Sequence, residues 1–195
     1  MLTKQAKMLS AEHISSVEAY LSTRHDPIRE TTILYLSVYA GFRACEISGL
    51  QWDMLLDATG DIGNTIALTN AASKGKQGGR VVPIHPKLAR LLRQLRDSYN
   101  VKPTRGSVIT SRNNTVITPH AISKRFAEWY RACGLVGCSS HSGRRTFITH
   151  AARNISKHGG SLRDVQKLAG HSFLSTTERY IVENSSAQIA VIFNM

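Results

Sequence analysis

The stretch DPIRETTILYLSVYAGFRACEISGL, residues 26–50, decides the fold. Asp26 followed by Pro27 reads as the N-cap and first position of a helix, because a proline at that position gives up only an N–H that has no helical partner anyway. From residue 28 to about 40 the helix is apolar nearly all round. A helix without a polar face has to lie in the middle of the molecule. Gly41 stops it, and RACEISGL follows as a short second helix. The expected domain is therefore built around one buried helix.

Outward from that helix the pattern stays mostly helical. Residues 1–9 read as a short basic lead-in, and Ser10 caps a helix running to about residue 21. Residues 51–84 change character. DATGDIGNT is turn-rich, TIALT and RVVPI are short β-type runs, and SKGKQGG lies between them. This predicts a small antiparallel sheet with SKGKQGG near a hairpin tip. Pro86 then opens a helix with Leu88, Leu91, Leu92 and Leu95 on one face. Thr118-Pro119 opens another, with Ile122, Phe126, Trp129 and Cys133 at helical spacing. A further helix carries Phe147, Ile148, Ala151 and Ala152. Ser161-x-x-Asp164 and Ser175-x-x-Glu178 each read as a capping box starting a helix. SAQIAVIFNM ends the chain as a small apolar segment. The fold class is mainly α with a small antiparallel β-sheet, which excludes a Rossmann or barrel cofactor site.

Composition narrows the partner. The 195 residues fit one domain better than two, burying roughly 70% of the unfolded surface. Lys plus Arg number 25 against 13 Asp plus Glu, a net charge of +12. Such a surplus points to a polyanion, nucleic acid ahead of an anionic membrane surface. No run of about 18 apolar residues is present, and MLTKQAKMLS lacks the apolar core of a signal peptide. Three cysteines make no disulfide framework, so a reducing cytoplasmic compartment is expected. Cys133, Cys138, His141 and His150 run as C-x4-C-x2-H-x8-H, which matches no common zinc spacing. Free thiols, not a metal site, are expected.

Four clusters carry chemistry. Arg43, in GFRACEISGL, is either paired with Glu46 at i, i+3 or held out for an anion. SKGKQGGRVVPI fails the P-loop pattern and leads into a strand, so it reads as a hairpin presenting Lys74 or Lys76. In HSGRRTFITH, His141 and Arg144 share one face at a helix start, a poor structural arrangement but a good anion site. In LAGHSFLSTTERY, His171 closes one helix and Tyr180 lies just inside the next. Two arginines, a lysine, two histidines and a tyrosine suit phosphoryl transfer without a metal. Arginine forks bind non-bridging phosphate oxygens and neutralise developing charge. Tyrosine can act as a covalent nucleophile. Only about one phenol in a thousand is ionised at pH 7, so it needs a positive field or a base.

These residues resemble the tyrosine recombinases, or phage integrase family, in four boxes that occur in family order: GFRACEI, SKGKQGGRVVP, His141-x-x-Arg144, and LAGH with a tyrosine nine residues later. The match runs over about residues 10–185. The resemblance implies a catalytic domain in which Tyr180 attacks a DNA phosphodiester and forms a 3′-phosphotyrosine. Arg43 and Arg144 would clamp the phosphate, and Lys74 would protonate the leaving 5′-oxygen. His141 would assist proton transfer, and His171 would hydrogen-bond the phosphate. Lys76, Arg80 and Arg145 are the further candidates for DNA contact. The resemblance implies double-stranded DNA as partner, no metal or ATP, a monomer when free, and a homotetramer on two duplexes. Residues 186–195 would dock on a neighbouring protomer. Gly143 and Arg145 stand where the family commonly has Leu and His. Family members usually carry a separate helical DNA-binding domain ahead of the catalytic one, and about ten residues precede the first helix here. The competing readings are a DNA-binding regulator with the same fold and a type IB topoisomerase.

Overall fold

The computed structural model describes residues 5–72 and 79–180. Lys74, Lys76 and the apolar C-terminal segment lie outside the described residues. The chain packs as two compact units, Met1–Phe147 and Ile148–Met195.

In the first unit, α1 (Ala11–Ser22) starts at Ser10, whose hydroxyl accepts from the His13 N–H at 3.3 Å. α2 (Pro27–Tyr39) starts at Asp26, whose carboxylate accepts from the Arg29 N–H at 3.2 Å. Ile33, Leu34 and Leu36 in α2 are wholly buried, as the missing polar face requires. α2 packs against α1 on one side and α4 (Pro86–Asp97) on another. The short α3 (Ala44–Ser48) packs on α5 (Pro119–Ala132). Strands β1 (Thr65–Leu68) and β2 (Arg80–Pro83) pair antiparallel, with Ile66 opposite Val82 and Leu68 opposite Arg80. Ile66, Leu68 and Val82 face inward, and the register puts Arg80 opposite Leu68 at the loop end of the ladder.

The described part of the lead-in is hydrogen-bonded to the first unit. Leu9 is buried and its N–H donates to Thr146 Oγ1 at 2.8 Å, while the Lys7 N–H donates to the Gly137 carbonyl at 3.1 Å. Residues 5–9 are thereby strapped beside the start of α6 (Ser142–Asn154), the helix within which the unit boundary falls.

The second unit holds the rest of α6, a 3-10 turn Ile155–His158, α7 (Leu162–Ala169) and α8 (Leu174–Glu178). The Asp164 carboxylate accepts from both the N–H and the hydroxyl of Ser161, each at 2.9 Å, as the capping pattern predicts. The second capping box does not form. α8 begins at Leu174, with Phe173 as its N-cap and Ser175 inside it, and ends at Glu178. Tyr180 therefore sits just beyond the helix, not inside it. Among the described residues, no helix is long and apolar enough to cross a membrane.

Candidate active site

The first unit builds a cluster of three arginines on one carboxylate. Gly41 makes it possible. Its φ of +67° turns the chain out of α2, and a Cβ there would collide with the Phe147 ring. Two residues on, Arg43 becomes the N-cap of α3, and its N–H donates to Glu46 Oε2 at 2.8 Å. Its guanidinium also reaches Glu46, Nη1 to Oε1 at 2.9 Å. Arg80 takes the same carboxylate with a two-pronged fork, 2.7 Å to Oε1 and 2.9 Å to Oε2. Arg144 donates from Nη1 to the Gly41 carbonyl at 2.6 Å. The turn that exposes Arg43 is thus the turn that anchors Arg144.

Glu46 has no exposed surface, and burial alone would raise its pKa. The hydrogen bonds and charge of Arg80, the Arg43 N–H and the charge of Arg144 outweigh burial and hold it at about 2. Glu46 is therefore an anion at any working pH. Three guanidiniums against one carboxylate leave a surplus of positive charge. Arg43 is the accessible member, with 22% of its side chain exposed. The choice left open by its sequence resolves toward pairing with Glu46, in a form that still presents the guanidinium.

Arg80, an expected DNA contact, is largely buried. Its side chain is 8% exposed, its fork is on Glu46, and its guanidinium carbon lies 5.3 Å from the centre of the Phe42 ring. It braces the cluster from inside. Arg145 donates to Gln5 of the strapped lead-in. His141 is exposed immediately before α6, and its carbonyl accepts from the Arg145 N–H at 2.9 Å. Gly143 lies where a Cβ would collide with Ser37 Oγ and come within 3.0 Å of Ser37 Cβ. That close approach of α6 to α2 explains why the smallest residue stands between His141 and Arg144.

The second unit positions His171 and Tyr180. Gly170 ends α7 in the left-handed conformation, φ 61°, so that the chain reverses at His171. The buried amide of Gln166 donates to the carbonyls of His171 at 2.9 Å and Ser172 at 3.3 Å, fixing the loop. His171 Nδ1 lies 2.9 Å from Thr177 Oγ1, and the His171 and Tyr180 rings stack with centres 5.6 Å apart. The Tyr180 N–H donates to the Thr177 carbonyl at 3.0 Å, and Thr149 Oγ1 donates to the Tyr180 carbonyl at 3.3 Å. Tyr180 is partly exposed. Gln166, Thr177, Thr149 and the Gly41 carbonyl are positioning groups that the sequence reading missed. Thr177 had a signal, three residues ahead of the tyrosine in TTERY.

The second unit thus stacks Tyr180 on a buried His171, and the first gathers arginines on Glu46. A family model described as the phage integrase family matches residues 7–186. The chain belongs to that family. Among phage integrase relatives, it is 30% identical over 179 residues to tyrosine recombinase XerC of Actinobacillus pleuropneumoniae, covering 89% of this chain and 54% of that protein. It is 28% identical over 176 residues to XerC of Actinobacillus succinogenes, covering 89% and 56%. The chain thus spans about half the length of the curated relatives it matches. The Tn1549 transposon integrase, solved in complex with a circular intermediate DNA, has the same fold, with a TM-score of 0.76 at 14% identity over all of this chain and 67% of that one.

Proposed function

We propose that the chain is the catalytic part of a site-specific DNA recombinase that cleaves and rejoins strands through a 3′-phosphotyrosine. The observation that carries the reading is the pairing of Tyr180 with His171 on a loop held by Thr177 and Gln166, in a chain that also gathers Arg43 and Arg144 around Glu46. Family membership and a DNA-bound structural neighbour support it.

In this reading the Tyr180 oxygen attacks the scissile phosphorus, and the bond to the 5′-oxygen breaks. The phenolic proton leaves toward His141 or water, and the 5′-oxygen takes a proton from Lys74. Arg43, Arg144 and His171 hold the non-bridging oxygens, where charge grows as the new bond forms. The new P–O bond keeps the energy of the old one, so a second 5′-hydroxyl reverses the step on another strand without ATP. Arg80 and Glu46 hold Arg43 in place. Lys76 and Arg145 remain the proposed backbone contacts. The partner is double-stranded DNA, and four copies would assemble on two duplexes, each using residues 186–195 on its neighbour.

The test is covalent trapping. Wild type and Tyr180→Phe are incubated with nicked, labelled duplexes that include candidate element ends, then run on denaturing gels. Wild type should carry DNA into a shifted band that Tyr180→Phe lacks. A band surviving in Tyr180→Phe would remove the nucleophile assignment. DNA bound in a native gel but never attached would favour a regulator.

A further inference from the structure

The buried glutamate that gathers arginines occurs twice. At the far end of α2 from Arg43, the Glu30 carboxylate is 6% exposed. Its Oε1 accepts from Arg29 Nη2 at 3.1 Å and from Arg125 Nη1 at 2.5 Å. Arg29 is buried, with a further ion pair to Asp26 at 3.2 Å, whereas Arg125 has 30% of its side chain exposed. The plan matches Glu46, with one arginine inside and one presented. Nine further residues of α2, about 14 Å of helix, lie between Glu30 and the helix end that leads to Arg43.

A cleft opens over the Glu30 device. Its cationic part, about 390 Å³, is lined by Arg24, Arg112 and Arg125 as well as Arg29 and Glu30. Arg24 is spent on a surface pair with Glu128 at 3.0 Å. Arg112 is exposed and makes no ion pair among the described residues. Four arginines against Asp26 and Glu30 leave a positive surplus here, and counting Glu128 does not cancel it. The cleft continues, past shared walls at Arg29 and Arg112, into a second part of about 570 Å³ with a mixed lining, where Tyr99 and Ile28 stand among Ser98, Asn100, Thr110 and Asn114. Tyr99 is braced edge-on by Trp52, with ring centres 6.3 Å apart. One end thus offers guanidiniums and the other an aromatic ring among hydroxyl and amide side chains. Both volumes fall within the range of small-molecule sites, about 300–1,000 Å³.

We propose that this cleft binds a phosphorylated small ligand with a planar, hydrogen-bonding ring, of nucleoside-monophosphate size. The phosphate sits on Arg112 and Arg125 and the ring lies along Tyr99, within reach of the Asn100 and Asn114 amides that share its lining. Guanidinium forks match two phosphate oxygens, and the aromatic face with its polar neighbours holds the rest of the ligand. The site is separate from the arginines on Glu46 and does not depend on the recombinase reading.

The experiment is calorimetric titration of the full chain with AMP, adenosine and inorganic phosphate. AMP should bind saturably and at least roughly tenfold tighter than either fragment. Arg112→Ala, which removes a side chain with no ion pair, should weaken AMP roughly tenfold and leave the unfolding midpoint unchanged. Arg112→Glu should weaken it further. No saturation at millimolar AMP would overturn the proposal, and so would equal binding of phosphate alone. AMP affinity unchanged in Arg112→Ala would place the ligand elsewhere and overturn it too. A glutamate-rich peptide binding more tightly than AMP would replace it with an acidic protein partner.

Discussion

Glu46 shows how one residue holds an arginine without consuming it. Its carboxyl titrates at about 2 in the folded chain against 4.5 ordinarily. The stabilisation is therefore whole above pH 4.5 and is lost as pH falls toward 2, a change of about 3 kcal/mol. Glu46→Gln should cost about 3 kcal/mol at neutral pH, because three guanidiniums lose their buried anion. Urea unfolding across pH 2–5 should show a steep slope in wild type and a shallow one in the variant. Thr177 does for His171 what Glu46 does for Arg43. Thr177→Val should cost about 1–2 kcal/mol and lower the yield of trapped DNA roughly tenfold, while Thr177→Ser restores both. The sequence made the local partner of Arg43 legible, since Glu46 is three residues away. It did not reveal Arg80, which comes from 34 residues further on and depends on the strand register.

Elements were legible where their ends are decided locally. Ser10, Asp26-Pro27 and Thr118-Pro119 each start a helix because the capping side chain and the orphan N–H are three residues apart. α8 departed from its pattern because its start is set from outside. Gly170 reverses the chain, Gln166 pins the next two carbonyls, and the Thr177 hydroxyl is taken by His171, so the helix begins and ends early. The close approach of Gly143, at the start of α6, to Ser37 was equally invisible. Gly143→Ala should cost about 1–3 kcal/mol by overpacking. Ser37→Gly in the same chain should recover much of that loss, and a double-mutant cycle in urea would measure the coupling. Independent costs would mean that the two helices separate instead of clashing.

At the scale of the whole molecule, the composition gives the net charge but not where the charge is spent. Part of the +12 is turned inward, on Glu46 and Glu30, at the two ends of α2. The absence of a polar face on residues 28–40, legible from the first, places that helix at the centre of the first unit. Its middle has no route to solvent short of dismantling its neighbours on both sides. Deuterium should therefore enter the amides of residues 33–38 at the pace of complete unfolding, while the ends of α1 and α4 exchange through local fraying. Mass spectrometry of peptides from that stretch would make α2 a gauge of the unit's stability, readable without denaturant.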